Sequence, residues 1–338
     1  MSDMTPPSFR DIELARPRVY KHVNKTPMLR YPLLDQWVGC ETWVKHENHH
    51  ASGAFKIRGG VNLVAQLTED ERRRGVVSAS TGNHGQSMAY ACRVHGVQCR
   101  IFVPVGNNPD KVAAMRALGA EVIEHGRDFD AARERVETLA PQEGWRYVHS
   151  ANEPQLIAGV GTYALEVFDE ISDADYLFVP VGGGSGAAGS CIARSGMGRQ
   201  TKVVGVQAKG ADAFARSWRG PERVSDSQVH TCAEGIATRT TYDLTFEILK
   251  EQLDDVVTLD EDELREGVRA AMQLTHNLAE HLRCGAARRR ETLLVAAGGE
   301  EGRVRNVGRQ HRRGYAARSA AVARLKPSTT TVGCSARL

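Results

Sequence analysis

No apolar run in this 338-residue sequence approaches the length that a membrane span needs. The first ten residues are polar, contain proline and lack the apolar core of a secretory leader. A cytoplasmic location is therefore expected. Cysteines number seven (Cys40, Cys92, Cys99, Cys191, Cys232, Cys284 and Cys334), an odd count with no C-x-x-C pair. That argues against a disulfide framework and a zinc site, and for scattered buried thiols in a reducing compartment. Proline and glycine do not gather into low-complexity tracts, and no repeat of fixed period stands out. With 41% hydrophobic and 25% charged residues, the chain suits one large domain or two moderate ones.

The formal charge of +3 conceals an imbalance. Residues 281–338 hold twelve Arg and one Lys against three Glu, a net +10, which leaves −7 on the preceding 280 residues. A basic tail on an acidic body can bind nucleic acid. A shift of reading frame is a plainer source of the arginines, so nucleic acid is not the expected partner.

Short Val- and Ile-rich runs alternate with helical patterns. Residues 76–80, 99–103 and 121–124 read as strands, each followed by a helix, at 83–95, 109–118 and 128–139. This is the βαβ rhythm of a parallel sheet. After a break near 145–152 the rhythm returns, with a helix at 154–171, a buried strand at 176–181, a helix from Ala187 and a strand at 202–207. Two α/β lobes are expected. A small one, 74–150, is set inside a larger one made of 1–73 and 151–280, and 281–338 is an atypical Arg-rich tail.

Three segments carry chemistry. The first is Val181-Gly182-Gly183-Gly184-Ser185-Gly186, which joins a buried strand to a helix. Glycine lets the main chain approach a ligand closely, and a helix N-terminus favours an anion, so the loop reads as a phosphate cradle. A glycine turn that merely packs a helix on a sheet is the blander reading. The loop lacks the Gly-Lys-Ser/Thr of a nucleotide-binding P-loop. It matches a dinucleotide fingerprint only formally, because residues 195–208 contain no acid to bind a ribose.

The second segment is Ser52-Gly53-Ala54-Phe55-Lys56-Ile57-Arg58-Gly59-Gly60, with Lys56 beside an aromatic and just ahead of an apolar helix at 61–67. A single lysine is ordinarily a solvated charge. In a partly apolar pocket it becomes a nucleophile towards an aldehyde. The third is Ser80-Thr81-Gly82-Asn83-His84-Gly85-Gln86, a strand-to-helix turn whose N–H groups could hold a carboxylate. There Asn83 reads most simply as a helix cap, and His84 as a helix-terminal histidine with a local hydrogen bond.

Together, in this order and spacing, the three segments resemble those of threonine and serine dehydratases and serine racemases. These are fold-type II, tryptophan-synthase-β-like enzymes of pyridoxal 5'-phosphate. The resemblance runs from Thr26 to Glu280 and implies an α/β fold of two lobes with parallel-rich sheets. It implies that Lys56 carries the cofactor as a Schiff base and later removes the Cα proton. Phe55 would lie beside the ring, Asn83 would meet the ring hydroxyl, and Gly182, Gly183, Gly184, Ser185 and Gly186 would hold the phosphate. Ser80, Thr81, Gly82, Asn83 and His84 would bind the substrate carboxylate.

The implied reaction is α,β-elimination on a β-hydroxy amino acid such as L-threonine or L-serine, giving a 2-oxo acid and ammonia, in a homodimer or higher homo-oligomer. Racemisation is the rival: serine racemases use a hydroxyl on the opposite face, at the position of Thr81. Those enzymes also hold a divalent cation with carboxylates in the segment that matches 207–213, where Gln207 and Ala213 stand here. No metal is expected. A binding protein that kept the fold and lost the chemistry is a third possibility, distinguished by lack of colour.

The tail departs from the family. Family members continue past Leu278-Ala279-Glu280 to a strand ending in Ser-Gly-Gly-Asn, whose serine meets the pyridine nitrogen. Here Val295-Ala296-Ala297-Gly298-Gly299-Glu300 matches weakly, with Ala297 for the serine. Reading Asn306-Val307-Gly308-Arg309-Gln310-His311-Arg312 one base later permits Met-Ser-Gly-Gly-Asn-Ile-Asp. A frameshift near residue 281 would explain both the lost motif and the arginines. Taken as written, the tail leaves the last strand and helix of the large lobe missing or improvised.

Overall fold

The computed structural model describes residues 4–277 and the strand Leu293–Ala297. The chain opens with α1 (Phe9–Tyr20), β1 (Met28–Arg30), α2 (Pro32–Val38), β2 (Glu41–Lys45), α3 (Lys56–Val64) and α4 (Glu69–Arg74). A tight alternation follows: β3 (Val76–Ala79), α5 (Asn83–His95), β4 (Cys99–Val103), α6 (Pro109–Ala117), β5 (Glu121–Glu124), α7 (Phe129–Glu143) and β6 (Arg146–Tyr147). The remainder is α8 (Pro154–Glu170), β7 (Tyr176–Pro180), α9 (Ser185–Gly196), β8 (Lys202–Ala208), α10 (Ala213–Arg219), α11 (Asp243–Gln252), β9 (Asp255–Leu259), α12 (Glu261–Thr275) and β10 (Leu293–Ala297).

The alternating segment makes a four-stranded, wholly parallel sheet in the order β5-β4-β3-β6. All four residues of β3 are buried, because helices cover both faces. Val76 packs with Met88 and Cys92 of α5, while Val77 and Ala79 turn to Ala132 and Val136 of α7. The second sheet has six strands, β1-β2-β10-β7-β8-β9. Strands β7, β8 and β9 are parallel, β1 and β2 antiparallel, and β10 runs antiparallel to both β2 and β7.

Strands β4 and β5 and helix α5 begin and end as the periodicity predicts; other elements differ for identifiable reasons. Helix α7 continues past 139 to Glu143 with Pro141 in its last turn, and Gly144, left-handed at φ 70°, stops it. Strand β6 went unseen: two residues paired to Val76 and Val77 carry no period of their own. Helix α9 starts two residues early, at Ser185, since Gly184 takes the left-handed conformation that turns strand into helix. The sheet position between β2 and β7 is filled by β10, whereas a missing strand was one expectation for the tail.

The largest difference is at Lys56. The helix begins at Lys56 itself and includes Gly59 and Gly60. Glycine is costly inside a helix, but here close packing demands it. A Cβ on Gly60 would lie 2.5 Å from Ser87 Oγ and 2.8 Å from the Ser87 carbonyl; one on Gly59 would lie 2.8 Å from the Leu156 carbonyl. Helix α3 is thus pressed between α5 and α8, and nearly all of it is buried.

Among the described residues, Cys40, Cys92, Cys99, Cys191 and Cys232 are free thiols, and no helix is long and apolar enough to cross a membrane. Cys284, Cys334 and the segment 306–312 invoked for the frameshift lie outside the described residues.

Candidate active site

Lys56, at the first turn of α3, directs its amine to the glycine loop. Nζ donates to Ser185 Oγ at 2.8 Å and to the Ser150 carbonyl at 3.3 Å. Phe55 is buried against the Tyr163 ring, with centroids 5.7 Å apart, and its edge lies 3.1 Å from where a Cβ on Gly186 would be. The loop has no room for side chains. A Cβ on Gly182 would meet the Gly235 carbonyl at 2.9 Å, and one on Gly183 would meet Ala151 at 3.2 Å. Gly184 has φ 87° and caps α9. Thr245 Oγ1 donates to the Gly183 carbonyl at 2.7 Å and holds the loop from α11. The result is a backbone concavity at the N-terminus of a 12-residue helix, a shape suited to an anion.

Beneath Lys56 lies a sealed ionic floor. Arg58 Nε and Nη2 donate to the two oxygens of Glu47 at 2.7 and 2.8 Å, and Nη1 and Nη2 to those of Glu166 at 2.6 and 3.1 Å. Lys45 Nζ pairs with Glu166 at 2.6 Å and donates to the Thr26 carbonyl at 2.7 Å. Tyr20 donates to Glu166 at 2.8 Å. Burial alone would raise the Glu47 pKa, but the Arg58 guanidinium and His50 outweigh it and hold the carboxyl well below its usual range. Burial is likewise outweighed at Glu166 by Arg58 and Lys45. The network joins α3 to β2, α8 and α1, so the helix bearing Lys56 is fixed in direction as well as depth. Arg58 stands in the lysine segment, two residues from Lys56, but nothing in that segment pointed to its carboxylate partners.

The turn 80–84 approaches from the four-stranded sheet. Gly82 is the N-cap of α5 and Asn83 its first residue, so Asn83 is not the cap expected of it. Ser80 Oγ turns inward and accepts from the N–H groups of Gly82 and Gly85, at 3.2 and 2.9 Å. Thr81 is exposed, and its carbonyl accepts from Asn107 at 3.2 Å. His84 is buried against Ser78 Oγ at 2.9 Å; burial, Lys56 and His149 push its pKa down to about 3. It is a neutral local-contact histidine at ordinary pH, not a poised base. Ser87, one turn on, donates to the Lys56 carbonyl at 2.5 Å and ties the two segments together.

His149, which no sequence pattern singled out, and two positions that did stand out, Gln207 and the segment from Val295, complete the surroundings. His149 accepts from the N–H groups of Ala151 and Asn152, both at 3.0 Å, and so shapes the bend that presents the Ser150 carbonyl to Lys56. Burial lowers its pKa to about 4. Gln207 is fully buried and fully engaged: Nε2 donates to the Val181 carbonyl at 3.1 Å, and Oε1 accepts from Ala215 at 2.9 Å. Its amide braces the entry to the glycine loop. Among the described residues no group of three or more His, Cys, Asp or Glu could hold a metal ion. Finally, Ala296 of β10 pairs with Tyr176 and Leu294 with Phe178. Ala297 therefore lies past the start of β7, at the opposite end from the loop that follows Pro180.

The family model described as pyridoxal-phosphate dependent enzyme matches residues 19–303. An L-threonine ammonia-lyase of Thermotoga maritima is 36% identical over 275 residues, 81% of this chain and 68% of that protein. The catabolic L-threonine dehydratase of Escherichia coli K12 is 32% identical, over 87% of this chain and 93% of its own. The crystal structure of serine racemase from Dictyostelium discoideum superposes with a TM-score of 0.75 at 33% identity, covering 81% of this chain and 88% of that one.

Proposed function

The chain belongs to the pyridoxal-phosphate dependent enzymes, and we propose that it is an ammonia-lyase acting on a β-hydroxy amino acid such as L-threonine or L-serine. The products are a 2-oxo acid and ammonia. The observation that carries the reading is the Lys56 amine aimed at the glycine loop, 2.8 Å from Ser185 Oγ. The residues present fit the cofactor. The loop is a side-chain-free concavity at a helix N-terminus, and a half-buried primary amine faces it.

In this reading Gly182, Gly183, Gly184, Ser185 and Gly186 hold the phosphate, Phe55 flanks the ring and Asn83 meets the ring hydroxyl. The cofactor, when bound, supplies an electron sink for the charge that develops at Cα. The rest is done by the chain. Lys56 is the attachment point, and when freed it is the base that takes the Cα proton. The rigid floor under α3 keeps its amine on one line of approach. The turn from Ser80 to His84 orients the substrate carboxylate through backbone N–H groups, and the inward Ser80 hydroxyl keeps the turn in shape. Racemisation is the second reading, favoured by the Thr81 hydroxyl in that same turn. Assembly as a homo-oligomer and a cytoplasmic location complete the proposal.

Borohydride reduction of the holoenzyme followed by peptide mass mapping tests this directly. The peptide containing Lys56 should gain the pyridoxyl mass. Lys56→Ala should lose that label, the visible absorbance and 2-oxo acid formation from a panel of β-hydroxy amino acids. A label on another lysine, or full activity in Lys56→Ala, refutes the assignment. Following chirality in the same samples separates lyase from racemase.

A further inference from the structure

An ion pair crosses the mouth of the cleft. Lys111, in the first turn of α6, meets Glu234 Oε2 at 3.4 Å. The lysine side chain is only 12% exposed, the glutamate 37%. The two come from different sides. The Lys111 side chain lies flat on Gly82 of the carboxylate turn, with Nζ 2.8 Å and Cδ 3.0 Å from where a Cβ on Gly82 would stand. Glu234 opens the short helical turn Glu234–Ile236, and Gly235 of that turn rests on Gly182 of the glycine loop. The ammonium group that meets this carboxylate thus lies directly on the backbone expected to receive the substrate carboxylate.

We propose that Glu234 stands in for the substrate: an arriving amino acid takes Lys111 from Glu234, and Lys111 becomes a positioning cation for the substrate α-carboxylate. This rests on the amino-acid reading above. Three observations favour exchange over a permanent brace. A mostly buried ammonium group needs a close anion. The contact with Glu234, 3.4 Å long and exposed at the glutamate end, contributes a factor of about two to five in population. The competing carboxylate would bind the same cation and the N–H groups of the turn together, and such charge-assisted contacts are the stronger kind.

The sign of the Glu234 effect decides the matter. Holoenzyme is titrated with L-alanine, which has no β-hydroxyl to lose, and binding is read from the cofactor absorbance. Lys111→Met should weaken binding about tenfold, as expected for loss of a charge-assisted contact, and Lys111→Arg should restore most of it. Glu234→Gln, which removes the competitor, should tighten binding by about two- to fivefold, and that gain should vanish in the Lys111→Met background. With a turning-over substrate the KM should follow these constants while kcat holds. If Glu234→Gln weakens binding or leaves it unchanged, the pair is a brace and the exchange is refuted. If no amino acid perturbs the wild-type spectrum, the amino-acid reading falls, and the exchange with it.

Discussion

Under Lys56, Arg58 is clasped by Glu47 and Glu166 with all three side chains sealed from solvent; at the mouth of the same cleft, Lys111 meets a Glu234 that is 37% exposed. Both are lysine- or arginine-carboxylate contacts, yet burial gives them opposite characters. Inside, desolvating the charges is so costly that each must keep every partner, and the planar guanidinium locks two carboxylates at fixed angles. At the mouth, water reaches the Glu234 end, and the pair costs less to open. A floor that cannot move and a mouth that can are what a site needs if the base must be aimed while the substrate comes and goes.

The sharpest way to break this contrast is at Arg58. Arg58→Met leaves Glu47 and Glu166 buried without their shared cation and should cost about 3–5 kcal/mol of stability in urea unfolding. Arg58→Lys should recover only part of that, since an ammonium group cannot serve two carboxylates in bidentate fashion. A loss below about 1 kcal/mol would place the floor in the same class as the mouth.

Acid should attack the interior first. Burial lowers the pKa of His84 to about 3, and of His46 and His149 to about 4, against 6.5 for a free imidazole. In the folded state they stay neutral while the unfolded chain takes up protons. Stability is therefore lost as the pH falls below about 6.5, by about 1.4 kcal/mol per pH unit for each imidazole, until its folded pKa is reached. Glu47 shifts in the same direction with the same consequence: its lowered pKa stabilises the fold above about 4.5, and that contribution goes as the pH drops further. Urea midpoints measured from pH 7 to 5 should fall steadily, less steeply in His84→Gln. A flat profile would show that these histidines are not held neutral.

The smallest effect is expected at the mouth. Lys111→Met should change the unfolding free energy by less than about 1 kcal/mol while substrate affinity responds. A large loss of stability there would erase the distinction between floor and mouth.

Much of this was legible in the chain. Helix α5 and strands β4 and β5 have the residues that periodicity assigned to them, because a parallel sheet covered on both faces writes its strands as unbroken apolar runs. The three motifs were legible for a similar reason: glycine and hydroxyl residues at strand-to-helix turns have few other uses. Strands β1, β2, β6 and β10 were not. Strand β6 is only two residues long, and β2 and β10 are interior strands that pair with segments far away in the chain, so no local pattern announces them.

What the sequence determined by itself was local: which residues turn, which alternate, and where the three motifs of Lys56, Asn83 and the loop of Gly182, Gly183 and Gly184 stand along the chain. What only the tertiary structure decided was who meets whom. Glu47 and Glu166 stand 11 and 108 positions from Arg58, and Ser185 stands 129 from Lys56. No pattern within a helix or strand encodes such distances. They are set when α3 is pressed between α5 and α8, and by the need of each buried charge to find its counterion.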